Sequence, residues 1–260
     1  MTLGLAATAV FAVWSLIAYR ASGAAREATR SGAAVRVAAE EGWWSFTPAA
    51  SPTAATPGLL FFPGALVDPI AYAPLARAAA EAGFPARLVL VPRRGAFGGA
   101  DDPRVFGRAR EAMRESGAPA RWVIAGHSRG GVIATDLAAS GEPGIAGVVL
   151  IGTSHPRDVS LSGLAVPVTK IVGTRDGLAS PDEVRANRAL LPESTRWVWI
   201  DGGNHSQFGS YGFQPGDWPA TISREAQQRR TVAAILDTLM NVQPEYAAGG
   251  SGLEAVSDKK

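Results

Sequence analysis

Six short apolar runs recur along the middle of this chain, each too short for a helix and apolar on alternate residues of both registers. They are GLLFFPG (58–64), ARLVLVP (86–92), RWVIAG (121–126), GVVLIG (147–152), VPVTKIVG (166–173) and RWVWID (196–201). A strand wetted on one side alternates apolar with polar residues, whereas a strand covered on both sides does not. Between the runs lie stretches with helical spacing. AYAPLARAAAEAG (71–83) ends on a glycine stop; 104–116 and GVIATDLAASG (131–141) follow, and a long helix is opened by Thr221 or Ser223. Strands and helices alternating at this interval predict βαβ units, a mainly parallel central sheet and helices on both faces. In such sheets a site forms in the loops beyond the carboxyl ends of the strands.

The flanks read differently. LGLAATAVFAVWSLIAY (3–19) carries no charge and is at the short end of a membrane-spanning helix. An uncleaved anchor is the favoured reading, ahead of a cleaved signal peptide and of a buried helix of the fold. Arg20, Arg26, Arg30 and Arg36 follow it, and the positive-inside rule would hold them in the cytoplasm. That conflicts with the expectation of a membrane-anchored domain on the extracytoplasmic side. Residues 20–41 read as a helical or flexible spacer, GWWSFTP (42–48) as a first strand, 42–242 as the domain, and 243–260 as a disordered tail.

One turn in this pattern carries chemistry. RWVIAG leads directly into HSRGG, so that G-H-S-R-G (126–130) joins a strand to a helix. This is the context required of a nucleophile elbow, where the serine occupies a strained turn and small neighbours prevent clashes. A serine hydroxyl needs a base to take its proton, and the base needs an orienting carboxylate. In chain order the acid should come after a later strand and the histidine after the last one. VPVTKIVGTRDG supplies Asp176, and RWVWIDGGNH supplies His205. Asp201 is a rival acid at the very end of its strand, His155 a loop residue at the rim, and His127 is expected to point away from Ser128. Two backbone amides should hold the developing oxyanion: that of Arg129, following the serine, and that of Ala65 in FFPGALVDP, with Leu66 as the alternative.

Composition removes several other classes. There is no cysteine and only three histidines, so thiolate chemistry and a metal site are not expected. The 25 basic residues are scattered and net charge is +2, which gives no nucleic-acid patch. Lys170 is the only lysine before the tail, and no phosphate-cradling G-x-x-x-x-G-K occurs. No cofactor is expected.

FFPGALVDPIAYAPLARAAAEAGF, AGHSRGG, VGTRDGLAS and GGNHSQFGSYGFQPGDWPATISREAQQ together resemble the α/β-hydrolase superfamily. Within it the chain is similar to small bacterial, often membrane-anchored hydrolases of the dienelactone-hydrolase-like branch. The resemblance covers about residues 43 to 240 and implies that Ser128, Asp176 and His205 are nucleophile, acid and base. Three departures stand out. Arg129 replaces the leucine common after the serine, no lysine precedes the apolar segment, and Ser128 stands where dienelactone hydrolases proper have cysteine. Only residues 153–165 separate two strands where cap domains are usually inserted, so no cap and an open site are expected. The leading expectation is a serine hydrolase for a small-molecule or lipid-like ester, thioester or lactone. A membrane-lipid or acylated-envelope hydrolase is the second, and a non-catalytic anchored binding protein the third.

Overall fold

A computed structural model describes residues 13–243, except 16, 54 and 97. Eight strands form one sheet in the order β1-β2-β4-β3-β5-β6-β7-β8. They are β1 (Val35–Ala39), β2 (Trp43–Pro48), β3 (Gly58–Phe62), β4 (Ala86–Val89), β5 (Trp122–His127), β6 (Ile145–Ile151), β7 (Val168–Gly173) and β8 (Arg196–Ile200). From β4 to β8 every pairing is parallel, while β1 and β2 pair antiparallel to their neighbours.

The doubly apolar strands divide their side chains between two cores. Leu59 and Phe61 of β3 face one layer, Leu60 and Phe62 the other, as the period of two dictates. Helices α1 (Gly23–Glu27), α2 (Ala73–Glu81) and, at the other end of the chain, a long helix (Arg224–Asn241) cover the first face. Helices α3 (Arg104–Arg114) and α4 (Arg129–Ala139) cover the second. Each fully buried Leu or Phe contributes roughly 1.5–3 kcal/mol, so these two cores dominate folding. A short helix, α5 (Pro181–Ala186), is opened by a Ser180–Glu183 capping box, and the long helix, α6, is capped by Ser223 rather than Thr221.

Residues 20–41 are not a spacer. They contribute α1 and the edge strand β1, which pairs with β2 from Val35–Pro48 to Ala39–Trp44. Most of the 3–19 segment lies outside the described residues, and among the described residues no helix is long and apolar enough to cross a membrane. Where it emerges, the chain is bound to the body. Ala18 and Tyr19 carbonyls accept from the Gly212 and Asp68 amides (3.0 and 2.9 Å), and the Ser22 amide donates to Ser210 (2.7 Å). The tail from 244 onward is outside the described residues. Between β6 and β7 the chain forms neither helix nor strand, so no cap covers the carboxyl ends there.

Candidate active site

β5 ends at His127 and α4 begins at Arg129, which leaves a single residue to reverse the chain. Ser128 does so at φ 54° and ψ −121°. Backbone of this kind costs about 1–3 kcal/mol for a residue with a side chain. Its amide donates to Ile151 (2.9 Å) and its carbonyl accepts from Gly131 (2.9 Å), which fixes the turn. Glycines make room for it. A Cβ on Gly126 would lie 2.1 Å from the Gly130 carbonyl oxygen, and one on Gly130 would lie 2.1 Å from that of Phe62.

The loops after β7 and β8 bring together the acid and base expected from the sequence. His205 Nδ1 lies 3.0 and 2.9 Å from the two Asp176 carboxylate oxygens, and the side chains are 1% and 0% exposed. Asp176 Oδ1 also accepts from the Leu178 and Ala179 amides (2.9 and 2.7 Å). Ser128, Arg129, His155, Leu178 and His205 line one small, open cavity of about 220 Å³. His205 Nε2 is buried there with no hydrogen-bond partner among the described residues.

A second layer of polar contacts holds these loops. Asp217 accepts from the amides of Gly177 (3.2 Å), His205 (3.1 Å) and Ser206 (2.8 Å), and from the Ser206 hydroxyl (2.7 Å). It therefore ties the acid loop to the histidine loop. Gln227 of α6 exchanges hydrogen bonds with the Asn204 backbone (3.0 and 2.6 Å).

Gly64 begins the loop after β3 and approaches closely: a Cβ on it would be 3.5 Å from Ser128 Cβ. The Leu66 amide is already engaged with the Arg94 carbonyl (2.6 Å), which disfavours it as a donor to substrate. The amides of Ala65 and Arg129 make no backbone hydrogen bond among the described residues. The Arg129 side chain pairs with Asp101. Asp201 accepts from the Thr174 hydroxyl (3.1 Å) and does not reach His205. His155 is at the rim as expected, and burial, aided by Arg157, lowers its pKa.

His127 has a contact that its place beside Ser128 did not announce. Its ring does not line the Ser128 cavity, but it packs behind it, 4.4 Å, centroid to centroid, from that of His205. Tyr72, on the 3-10 turn Pro69–Tyr72, approaches it with a hydroxyl 2.7 Å from His127 Nδ1. Neither of these residues nor Asp217 carried a local signal, because their contacts join segments up to 55 residues apart. Among the described residues no cluster of three His, Asp or Glu side chains could hold a metal ion.

Residues 58–229 match the model of the Alpha/beta hydrolase family, and the chain belongs to that family. A dienelactone hydrolase from Anabaena variabilis is similar at 16% identity and a TM-score of 0.58, covering 78% of this chain and 98% of that one. A Thermus thermophilus protein is similar at 21% and 0.55, with 79% and 98% covered. A dienelactone hydrolase-like promiscuous phosphotriesterase from metagenomic libraries is similar at 18% and 0.55, with 77% and 92% covered. No curated protein matches the chain by sequence. At such identities the structures support the fold alone.

Proposed function

We propose that the chain is a serine hydrolase that cleaves a carboxylic ester, thioester or lactone through an acyl-enzyme. The observation that carries the reading is the buried Asp176–His205 hydrogen bond beside a serine strained into an elbow, with Ser128 and His205 lining one cavity. His205 Nε2 takes the Ser128 proton as the hydroxyl oxygen attacks the carbonyl carbon. Asp176 holds the ring by Nδ1 and faces the imidazolium that forms. The Ala65 and Arg129 amides donate to the oxyanion. Collapse expels the alcohol or thiol, which leaves with the proton from His205. A water activated by the same ring then hydrolyses the acyl-enzyme.

The test is fluorophosphonate labelling of the full chain and of Ser128→Ala, with p-nitrophenyl esters of rising chain length as substrates. Labelling confined to the wild type supports the reading. A folded wild type that neither labels nor turns over an ester sinks it and leaves the binding-protein alternative.

A lipid-like ester presented at a bilayer is a second reading, with segment 3–19 as anchor and the domain outside the cytoplasm. Leu178, Trp218 and Phe213, on the loops around the cavity, are 37%, 51% and 60% exposed, an apolar collection suited to an interface. A long-chain optimum and rates that rise with added vesicles favour it; a short-chain optimum indifferent to vesicles removes it.

A further inference from the structure

The proposed reaction uses His205 but leaves a second buried histidine in contact with it unexplained. His127 is 1% exposed, and its ring meets those of Tyr72, His205 and Phe208. The Tyr72 hydroxyl is shared between two partners. It accepts the Gly64 amide (3.2 Å) and lies 2.7 Å from His127 Nδ1. Gly64 precedes Ala65, one of the proposed oxyanion donors. One hydroxyl thus connects the oxyanion loop, the residue before the nucleophile and, through a ring contact, the base.

The proton arrangement follows from counting donors. The amide can only donate, so it uses a lone pair of the Tyr72 oxygen. The single hydroxyl proton is then available for His127 Nδ1, and that arrangement puts the ring proton on Nε2, a buried atom with no hydrogen-bond partner among the described residues. We propose that Tyr72 and His127 are positioning residues: Tyr72 locks His127 as a neutral ring, and that ring supports His205 as the imidazolium forms. This rests on the serine-hydrolase reading for its consequence, but not for its geometry.

Neutrality matters because a neutral aromatic face attracts a cation beside it, whereas a second imidazolium would repel it. Burial, followed by the adjacent His205 charge, holds the His127 pKa well below the ordinary histidine value. Among the titratable side chains whose contacts with this ring are described, Tyr72 is raised far out of range by burial and stays protonated, and His205 is the base itself. Asp176 bonds the His205 ring and Asp217 the His205 amide, so neither is a counter-ion bonded to His127.

Three histidines in the chain make the test direct. The full chain labelled with ¹⁵N-histidine is titrated by NMR over roughly pH 5 to 8, the window where ordinary histidines change charge. His127 is expected in the Nε2–H form without titrating, and Tyr72→Phe is expected to change its Nδ1 shift. The same variants are assayed on the best p-nitrophenyl ester. His127→Gln removes the ring and should lower kcat by up to about a hundredfold with KM little changed, as loss of orientation does. It should also move the acid limb of kcat/KM, and the His205 resonance, to lower pH. His127→Phe keeps an aromatic face and should recover part of the loss. A titrating or Nδ1–H His127 in the wild type overturns the proposal. So does a kcat loss in His127→Gln with no displacement of the His205 titration. If the wild type hydrolyses nothing, the NMR result still decides the positioning geometry while the hydrolase reading alone falls.

Discussion

The two sides of the Ser128 cavity are built on opposite principles. On the side of β7 and β8, Asp176, His205 and Asp217 are knitted by hydrogen bonds in which Asp217 alone accepts from four amides and a hydroxyl. On the side of β3 and β4, the loops bearing Ala65 and Arg94 hold three non-glycine residues at positive φ: Leu66 at 65°, Arg93 at 50° and Arg94 at 51°. Their mutual support is thin, chiefly the Leu66 amide on the Arg94 carbonyl and an Arg94–Asp68 ion pair at 3.9 Å. Proton transfer demands fixed distances between a few atoms, and a dense buried network supplies them. On the proposed oxyanion side the fold carries strain beside fewer bonds, among them the Gly64 amide on the Tyr72 hydroxyl and the Asp68 amide on the Tyr19 carbonyl.

The contrast orders its own tests. Asp176→Asn keeps an acceptor for the Leu178 and Ala179 amides but removes the charge and favours the wrong His205 tautomer. Its kcat on the best ester should fall by about 10⁴ with the unfolding midpoint nearly unchanged. A fall below tenfold would break the contrast at its centre, since the network would then not serve proton transfer. Asp217→Ala strands four amides that are buried or partly buried, at about 1–3 kcal/mol each, and should lower stability in urea by roughly 3 kcal/mol or more. A change under 1 kcal/mol would mean that water replaces the carboxylate and that the network is not preorganised. Leu66→Gly has the smallest expected effect: relief of positive φ should offset the added backbone freedom and raise stability by up to about 1 kcal/mol. A clear destabilisation would place Leu66 among the supports of the oxyanion loop and blur the difference between the two sides.

The parts legible in the sequence are those governed by local rules. Strands β3 to β7 announce themselves because a doubly covered strand has no wet face, β8 by its apolar run alone although only Ile200 is buried, and the elbow because strand, serine and helix are contiguous. Asp176 and His205 follow from their places after two later strands. β1 was missed because VRVAA carries an arginine and only one fully buried residue, Val35, so its pattern is that of a solvated edge. α5 was missed although its capping residues, Ser180 and Glu183, stand in plain order. Tyr72, His127 and Asp217 could not be read locally: an aspartate in QPGDWP is ordinary turn chemistry until the loop folds back on His205.

The docked residues 18–22 brace the loop that carries His205. Because the Ala18 carbonyl and the Ser22 amide are bonded to Gly212 and Ser210, a few residues past His205, the arm is a bracket and not a leash. The Tyr19 carbonyl is bonded to the Asp68 amide as well, so the same arm joins the histidine loop to the loop after β3 that bears Ala65.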